Sequence, residues 1–284
     1  MSNPAPPRRA GRSDHADAVR RRATAVVRAS GMRRAPFAPE RYAGKCGVAA
    51  IVAGDIAAAP DGDPVRVEYR ASADGRARRI LLVVDRRLPP HTPQWNGAVA
   101  LGLAETLVPA GVAGSARPAL AEAAAADLLL PMAAFRPAAA RTDLTMDGLR
   151  DLAARFAAPL RLVARQWLAS GLWRGYALLW REEDDTLRLR WRAASSGRFP
   201  PALALGADAS GVWAPVSRLF TTQRTGRPHH GVEEVRAGTA VAWWFTRFAA
   251  VHDGARGARG GASVFAMVML ASGRPEGILS GSSK

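Results

Sequence analysis

The 284 residues carry 40 basic and 24 acidic side chains, a formal net charge of +16. A hydrophobic content of 48% excludes a wholly disordered chain, and a single cysteine, Cys46, excludes a disulfide framework and a Cys-rich zinc module. No apolar run is long enough for a membrane span, and the basic N-terminus lacks the apolar segment of a secretory signal, so a cytoplasmic protein without membrane contact is expected. Surplus positive charge attracts nucleic acid and other anionic partners, with an affinity that falls as salt rises. Of the 40 basic residues only Lys45 and Lys284 are lysines. That bias, with alanine the commonest residue, reads partly as a GC-rich codon supply.

Residues 1–13 are rich in Pro, Arg and Ser and read as disordered. A helix follows from Asp14 to about Ser30, stopped by Gly31, with Ala18, Ala25, Val26 and Ala29 as its apolar stripe. Residues 1–36 form a basic arm: nine arginines, Arg20, Arg21 and Arg22 among them, stand against Asp14 and Asp17, a local charge of +7. The run 47–53 is apolar throughout and fits either a strand or a buried helix. Residues 65–71 alternate, and 79–85 return as a more buried strand after the Asp74-Gly75 turn, so the two make a hairpin. Residues 95–108 are apolar on nearly every face, as a buried helix is. A second apolar helix, 118–130, stops before Pro131.

Residues 141–174 form a helical unit. Asp147 is placed to cap a helix from Gly148 to Ala157, and Pro159 to open another that runs to Ser170. The pair has helix-turn-helix length, and its second helix can present Arg161, Arg165 and Gln166 to base edges. Beyond 174 the pattern is strand-like: a hairpin at 175–181 and 187–193, then apolar strands at 238–251 and 262–271. This region holds five of the eight tryptophans: Trp180, Trp191, Trp213, Trp243 and Trp244. His229, His230, His252 and Asp253 are faint metal candidates, with surface loop positions as the simpler reading. Residues 254–261 read as a linker, and 273–284 as a disordered tail.

This order of elements resembles the ImmA/IrrE-type metallopeptidase family. The matching residues are Trp95-Asn96, where the family has an aromatic-Thr pair; Leu101-Gly102, where its H-E-L-G-H motif has Leu-Gly; Asp127-Leu128-Leu129-Leu130-Pro131 at the end of the next helix; and Leu152-Ala153, Phe156, Val163, Arg165 and Leu168 in its helix-turn-helix segment. The likeness covers roughly residues 45–175. It implies an α+β chain: a zincin-like metallopeptidase-type domain at 37–140, the helix-turn-helix-like unit at 141–174, and a β-rich, sensor-like domain at 175–272.

The same alignment removes the chemistry. Zinc needs lone-pair donors, and two His one turn apart share a helix face and meet one ion. Here those positions are Val99 and Leu103, and the general-base position is Ala100. The third ligand falls at Pro118 or Leu120, depending on register. None of these side chains can ligate a metal or activate a water. No catalytic residue, metal or other cofactor is therefore expected. The resemblance implies a non-catalytic regulatory protein of stress-response type, holding a protein partner such as a DNA-binding repressor without cleaving it. The alternative is direct nucleic-acid binding through the basic arm and the 160–170 helix.

Overall fold

A computed structural model describes residues 12–56, 64–71, 78–112, 114, 116–143, 145–172, 175–183, 186–195, 230–231, 235–237, 240–248 and 263–270. The readings made for residues 1–11, His229, His252, Asp253, Trp213, the 254–261 linker and the 273–284 tail lie outside them. The chain is of mixed α+β class and divides into two compact units, Met1–Arg86 with Trp95–Pro131, and Arg87–Gln94 with Met132–Lys284.

In the first unit, α1 spans Arg12–Ala29 and packs on α3, Ala116–Leu129. Asp14 in its first turn and Arg28 in its last complement the helix dipole. Its buried side is Val19, Ala23, Val26 and Val27, at the i, i+4, i+7 and i+8 spacing of one helix face. The stripe expected from the alanines is corrected accordingly: Ala25 and Ala29 are exposed and Ala18 only half-buried. Methyl groups bury less area than valines, so the valines set the rotation of the helix.

A 3-10 segment, Pro39–Cys46, leads into β1, Val48–Gly54. β1 pairs in parallel with β3, Arg78–Asp85, and β3 pairs antiparallel with β2, Val65–Ala71, giving the order β1-β3-β2. The central position of β3 explains why Leu82, Val83 and Val84 are all buried. α2, Pro93–Leu107, begins on a proline whose missing N–H costs nothing in the first turn. Every residue from Trp95 to Ala104 is buried.

After Arg87–Gln94 the second unit resumes with α4, Met132–Ala139, a helix the sequence pattern did not suggest. Phe135 on its buried face meets Phe156 of α5, Met146–Phe156, with ring centroids 5.6 Å apart and planes tilted by 56°. This contact places α4 with the helical pair, and the units divide after Pro131 where the sequence suggested a boundary at 140. Thr145, not Asp147, caps α5: its hydroxyl accepts from the Gly148 N–H at 3.0 Å, and Asp147 lies within the first turn. Pro159 takes the N-cap position of α6, Leu160–Ala169.

α1 and α6 end in the same way, on Ala-Ser-Gly. Ser30 and Ser170 each donate to the carbonyl three residues back at 2.6 Å and accept from the N–H two residues on at 3.3 Å. Gly31 and Gly171 follow at φ of 70° and 72°, a conformation that favours glycine.

α6 packs against α4, α5, β4 (Gly175–Glu183) and β5 (Thr186–Ala194). β6, His230–Gly231, β7, Val235–Ala237, β8, Ala240–Phe248, and β9, Ser263–Leu270, complete a six-stranded antiparallel sheet of order β5-β4-β9-β8-β6, with β7 also on β8. Tyr176, Ala177, Leu178 and Trp180 of β4 are buried, so Trp180 belongs to a core.

Candidate functional site

The candidate site is the surround of α2. Val99, Ala100 and Leu103 are each 0% exposed. All three are hydrocarbon side chains, so the residues do not fit a metal or a base-activated water. Gly102 lets the helix settle closely onto the sheet: a methyl group there would stand 2.8 Å from Val65 Cγ2 and 3.1 Å from both Leu82 methyls. On α3, Pro118 is exposed and Leu120 half-buried, so Pro118 lies off the buried face that holds Ala121, Ala124, Ala125 and Leu128. Among the described residues no group of three or more His, Cys, Asp or Glu is arranged to hold a metal ion.

Polar atoms of α2 sit at its ends, where they find partners. The Trp95 indole donates to Glu40 Oε1 at 2.8 Å, and the Thr106 hydroxyl reaches the Cys46 carbonyl at 3.2 Å and the Leu103 carbonyl at 2.7 Å. The 3-10 segment is thus fastened to both ends of the helix. Arg22 of α1 donates to the Leu107 carbonyl at 3.0 Å, satisfying one of the last carbonyls of α2 with a cation at the negative end of its dipole. Arg117 holds the α2–α3 connection through the Glu105 carboxylate at 2.9 Å and the Glu105 carbonyl at 3.0 Å.

Two further polar side chains of the 3-10 segment lie inside. Burial pushes the Cys46 thiol up to about 11, a shift the Thr106 hydroxyl bond only partly offsets, so at neutral pH it is no thiolate nucleophile. Burial, and then the nearby Cys46, also raise the Tyr42 phenol above its ordinary value. Its hydroxyl has no hydrogen-bond partner among the described residues. Both groups therefore stay neutral at physiological pH.

The nucleic-acid candidates separate. Gln166 is 2% exposed and cannot reach a base edge, which corrects its expected outward placement. The reason is tertiary: β4 and β5 cover a side of α6 that the pairing with α5 alone leaves open. Arg161 and Arg165 are half-buried, and Ala169 is the one exposed residue of the helix. Arg161, Arg165 and Ala169, at i, i+4 and i+8, leave α6 one narrow, partly open strip, from which Gln166 is excluded. On α1, Arg20 pairs with the buried Asp127 at 3.5 Å and Arg22 is engaged as above, whereas Arg21 is exposed. The arm is not free along its length: from Arg12 on it is a helix docked in the first unit. No local sequence signal pairs Glu40 with Trp95 or Cys46 with Thr106, because each contact spans 55 to 60 residues.

These features define an α+β chain with a dry, apolar helix over a small mixed sheet and a second unit of helices on an antiparallel sheet. No family model matches it, and neither does any curated protein. Among solved structures it is similar to a Mycobacterium tuberculosis transcriptional regulator, with a TM-score of 0.53 at 20% identity over 89% of this chain and 88% of that one. At that identity the likeness is one of fold. Among the described residues no single helix is long and apolar enough to cross a membrane.

Proposed function

We propose that the chain is a regulatory protein built on a degenerate metallopeptidase-like domain of ImmA/IrrE type, which holds a transcriptional repressor or similar protein partner without zinc-dependent proteolysis. The observation that carries this reading is the state of α2: Val99, Ala100 and Leu103, the positions where the resembled family places its ligands and base, are fully buried hydrocarbon. The β2–β3 hairpin followed by α2, α3 and, after α4, the α5–α6 pair supports it, as the order of elements on which the resemblance rests. The similar fold of a protein described as a transcriptional regulator supports the regulatory part. A stress-response setting follows only from the resemblance. The direct nucleic-acid alternative loses Gln166 to burial and keeps the half-buried Arg161 and Arg165 on α6.

The test is twofold. Purified protein titrated with zinc against a competing chelator is expected to show no stoichiometric tight site. Affinity capture with the tagged full chain is expected to recover a DNA-binding partner intact and in stoichiometric amount. One tightly held zinc per chain, or a partner recovered as cleavage fragments, would overturn the reading.

A further inference from the structure

The arginines of the described residues fall into two groups. Many are tied to partners: Arg20 to Asp127, Arg66 and Arg70 to Glu68, Arg86 to Asp55, Arg117 to Glu105, and Arg22 to a helix carbonyl. Glu68 registers this, its carboxyl lying below the usual range through the bonds from Arg70 and then Arg66. Other arginines are exposed and unbonded among the described residues: Arg79, Arg136 and Arg141 are scattered, and five more lie in one stretch. Residues 21–47 carry seven basic side chains, and their one acid, Glu40, is bonded by Trp95. Arg22 apart, these cations are Arg21, Arg28, Arg33, Arg34, Arg41 and Lys45. All six are exposed, and their side chains make no hydrogen bond or ion pair among the described residues.

Helix geometry aligns the first two. Arg21 and Arg28 are seven residues apart, which turns the helix by about 20° net and advances it by about 10.5 Å. They therefore form one strip, opposite Val19, Ala23, Val26 and Val27. Asp17, one turn before Arg21, and Asp14 occupy the N-terminal end of this strip. The uncompensated charge thus begins at Arg21 and continues past the helix end into the loop and the 3-10 segment, which packs on α1.

We propose that this surface binds the phosphate backbone of duplex DNA. Five of the six cations are arginines, whose planar guanidinium meets phosphate with two parallel N–H donors. A membrane surface or an acidic protein would call for apolar anchors as well. The exposed large hydrophobic residues among those described, Val52 and Tyr69, lie outside the stretch. Contact confined to phosphates gives sequence-independent affinity, carried by counterion release. The inference does not rest on the partner-binding reading, and either can fail alone.

The test is the anisotropy of a labelled duplex titrated with the full chain across a salt series. Log affinity is expected to fall linearly with log salt, with a slope of about 0.9 per phosphate neutralised. Replacing Arg28→Gln, Arg33→Gln, Arg34→Gln and Arg41→Gln together removes four exposed cations and no intramolecular bond. It is expected to lower the slope by roughly 3 and the affinity by more than tenfold, with an unchanged circular dichroism spectrum. The pair Arg161→Gln and Arg165→Gln should leave the slope in place. Absence of binding at about 50 mM salt, an unchanged slope in the fourfold variant, or tighter binding to anionic vesicles than to the duplex would overturn the proposal.

Discussion

Placing histidines on α2 distinguishes a sealed core from a cleft able to take up a metal. The double substitution Val99→His and Leu103→His restores the i, i+4 ligand spacing at two positions that are 0% exposed. A neutral imidazole brings one donor and one acceptor to each. Leaving a buried polar group unsatisfied costs about 1–3 kcal/mol at each site, and at Val99 forcing a larger side chain into a filled space adds about 1–3 kcal/mol. A bond between the two rings, one turn apart, would recover part of this, and the single variants bound that coupling. The pair should therefore lose about 4 kcal/mol, a large share of the roughly 5–15 kcal/mol typical of a whole domain. Burial lowers the imidazole pKa below its free value of about 6.5, so the unfolded chain binds protons that the folded chain refuses. The penalty should thus grow as pH falls below about 6.5. The assay is urea unfolding of parent and variant at pH 8 and pH 6, with and without zinc. A variant within about 1 kcal/mol of the parent that also holds one zinc would refute the sealed core.

Three other perturbations test local claims. Gly102→Ala should destabilise the first unit by about 1–3 kcal/mol in the same assay, because its methyl would stand 2.8 Å from Val65 Cγ2; a neutral result would mean that the helix and sheet separate easily. Thr145→Ala should cost about 1 kcal/mol in the second unit and Asp147→Ala distinctly less, since Thr145 makes the cap bond to Gly148; equal costs would return the cap to Asp147. Cys46 should resist a thiol reagent in the native chain near neutral pH and react on unfolding. Because its native pKa of about 11 lies above the ordinary value of 9.0, the unfolded thiol ionises first. Stability should then fall as pH rises from about 9 towards 11, more steeply in the parent than in Cys46→Ala; fast stoichiometric labelling of folded protein would contradict this.

Local pattern was enough where one element decides its own state. The alternation of 65–71 and the apolar return at 79–85 read directly as β2 and β3, and the unbroken apolar face of 95–108 read as the buried α2. Ambiguity remained for 48–54, since a short, wholly apolar run fits a strand or a buried helix until its partner is known. α4 lies between Pro131, which ends the preceding helix, and Pro137, which it carries near its end; Pro137 is exposed, whereas Phe135 and Ala138 are buried. The true stripe of α1, Val19 with Ala23, Val26 and Val27, was present in the sequence and masked by surrounding alanines. Gln166 was misplaced for another reason. A helical wheel drawn for a two-helix unit has one buried side, and only the strands after Gly175 reveal a second.

The middle of α2 and the arginine surface obey one rule applied at opposite ends of the polarity scale. A side chain that is fully buried must be apolar or fully bonded, so a helix buried along its middle cannot keep a lone histidine or glutamate there without a partner. α2 meets that condition: its middle is hydrocarbon, and Trp95, Glu105 and Thr106 place their polar atoms against Glu40, Arg117 and the Cys46 carbonyl. The absence of ligands is thus what stability alone demands of this helix. The charges of residues 21–45 stand under no such demand. Six cations in one short stretch carry like charge, and all are exposed with no ion pair closed among the described residues. Arg20 and Arg117 have a structural account in Asp127 and Glu105. Arg28 has only the end of the α1 dipole, and Arg33, Arg34 and Arg41 have no bonded partner among the described residues; an external polyanion is the partner that their charge and shape best fit.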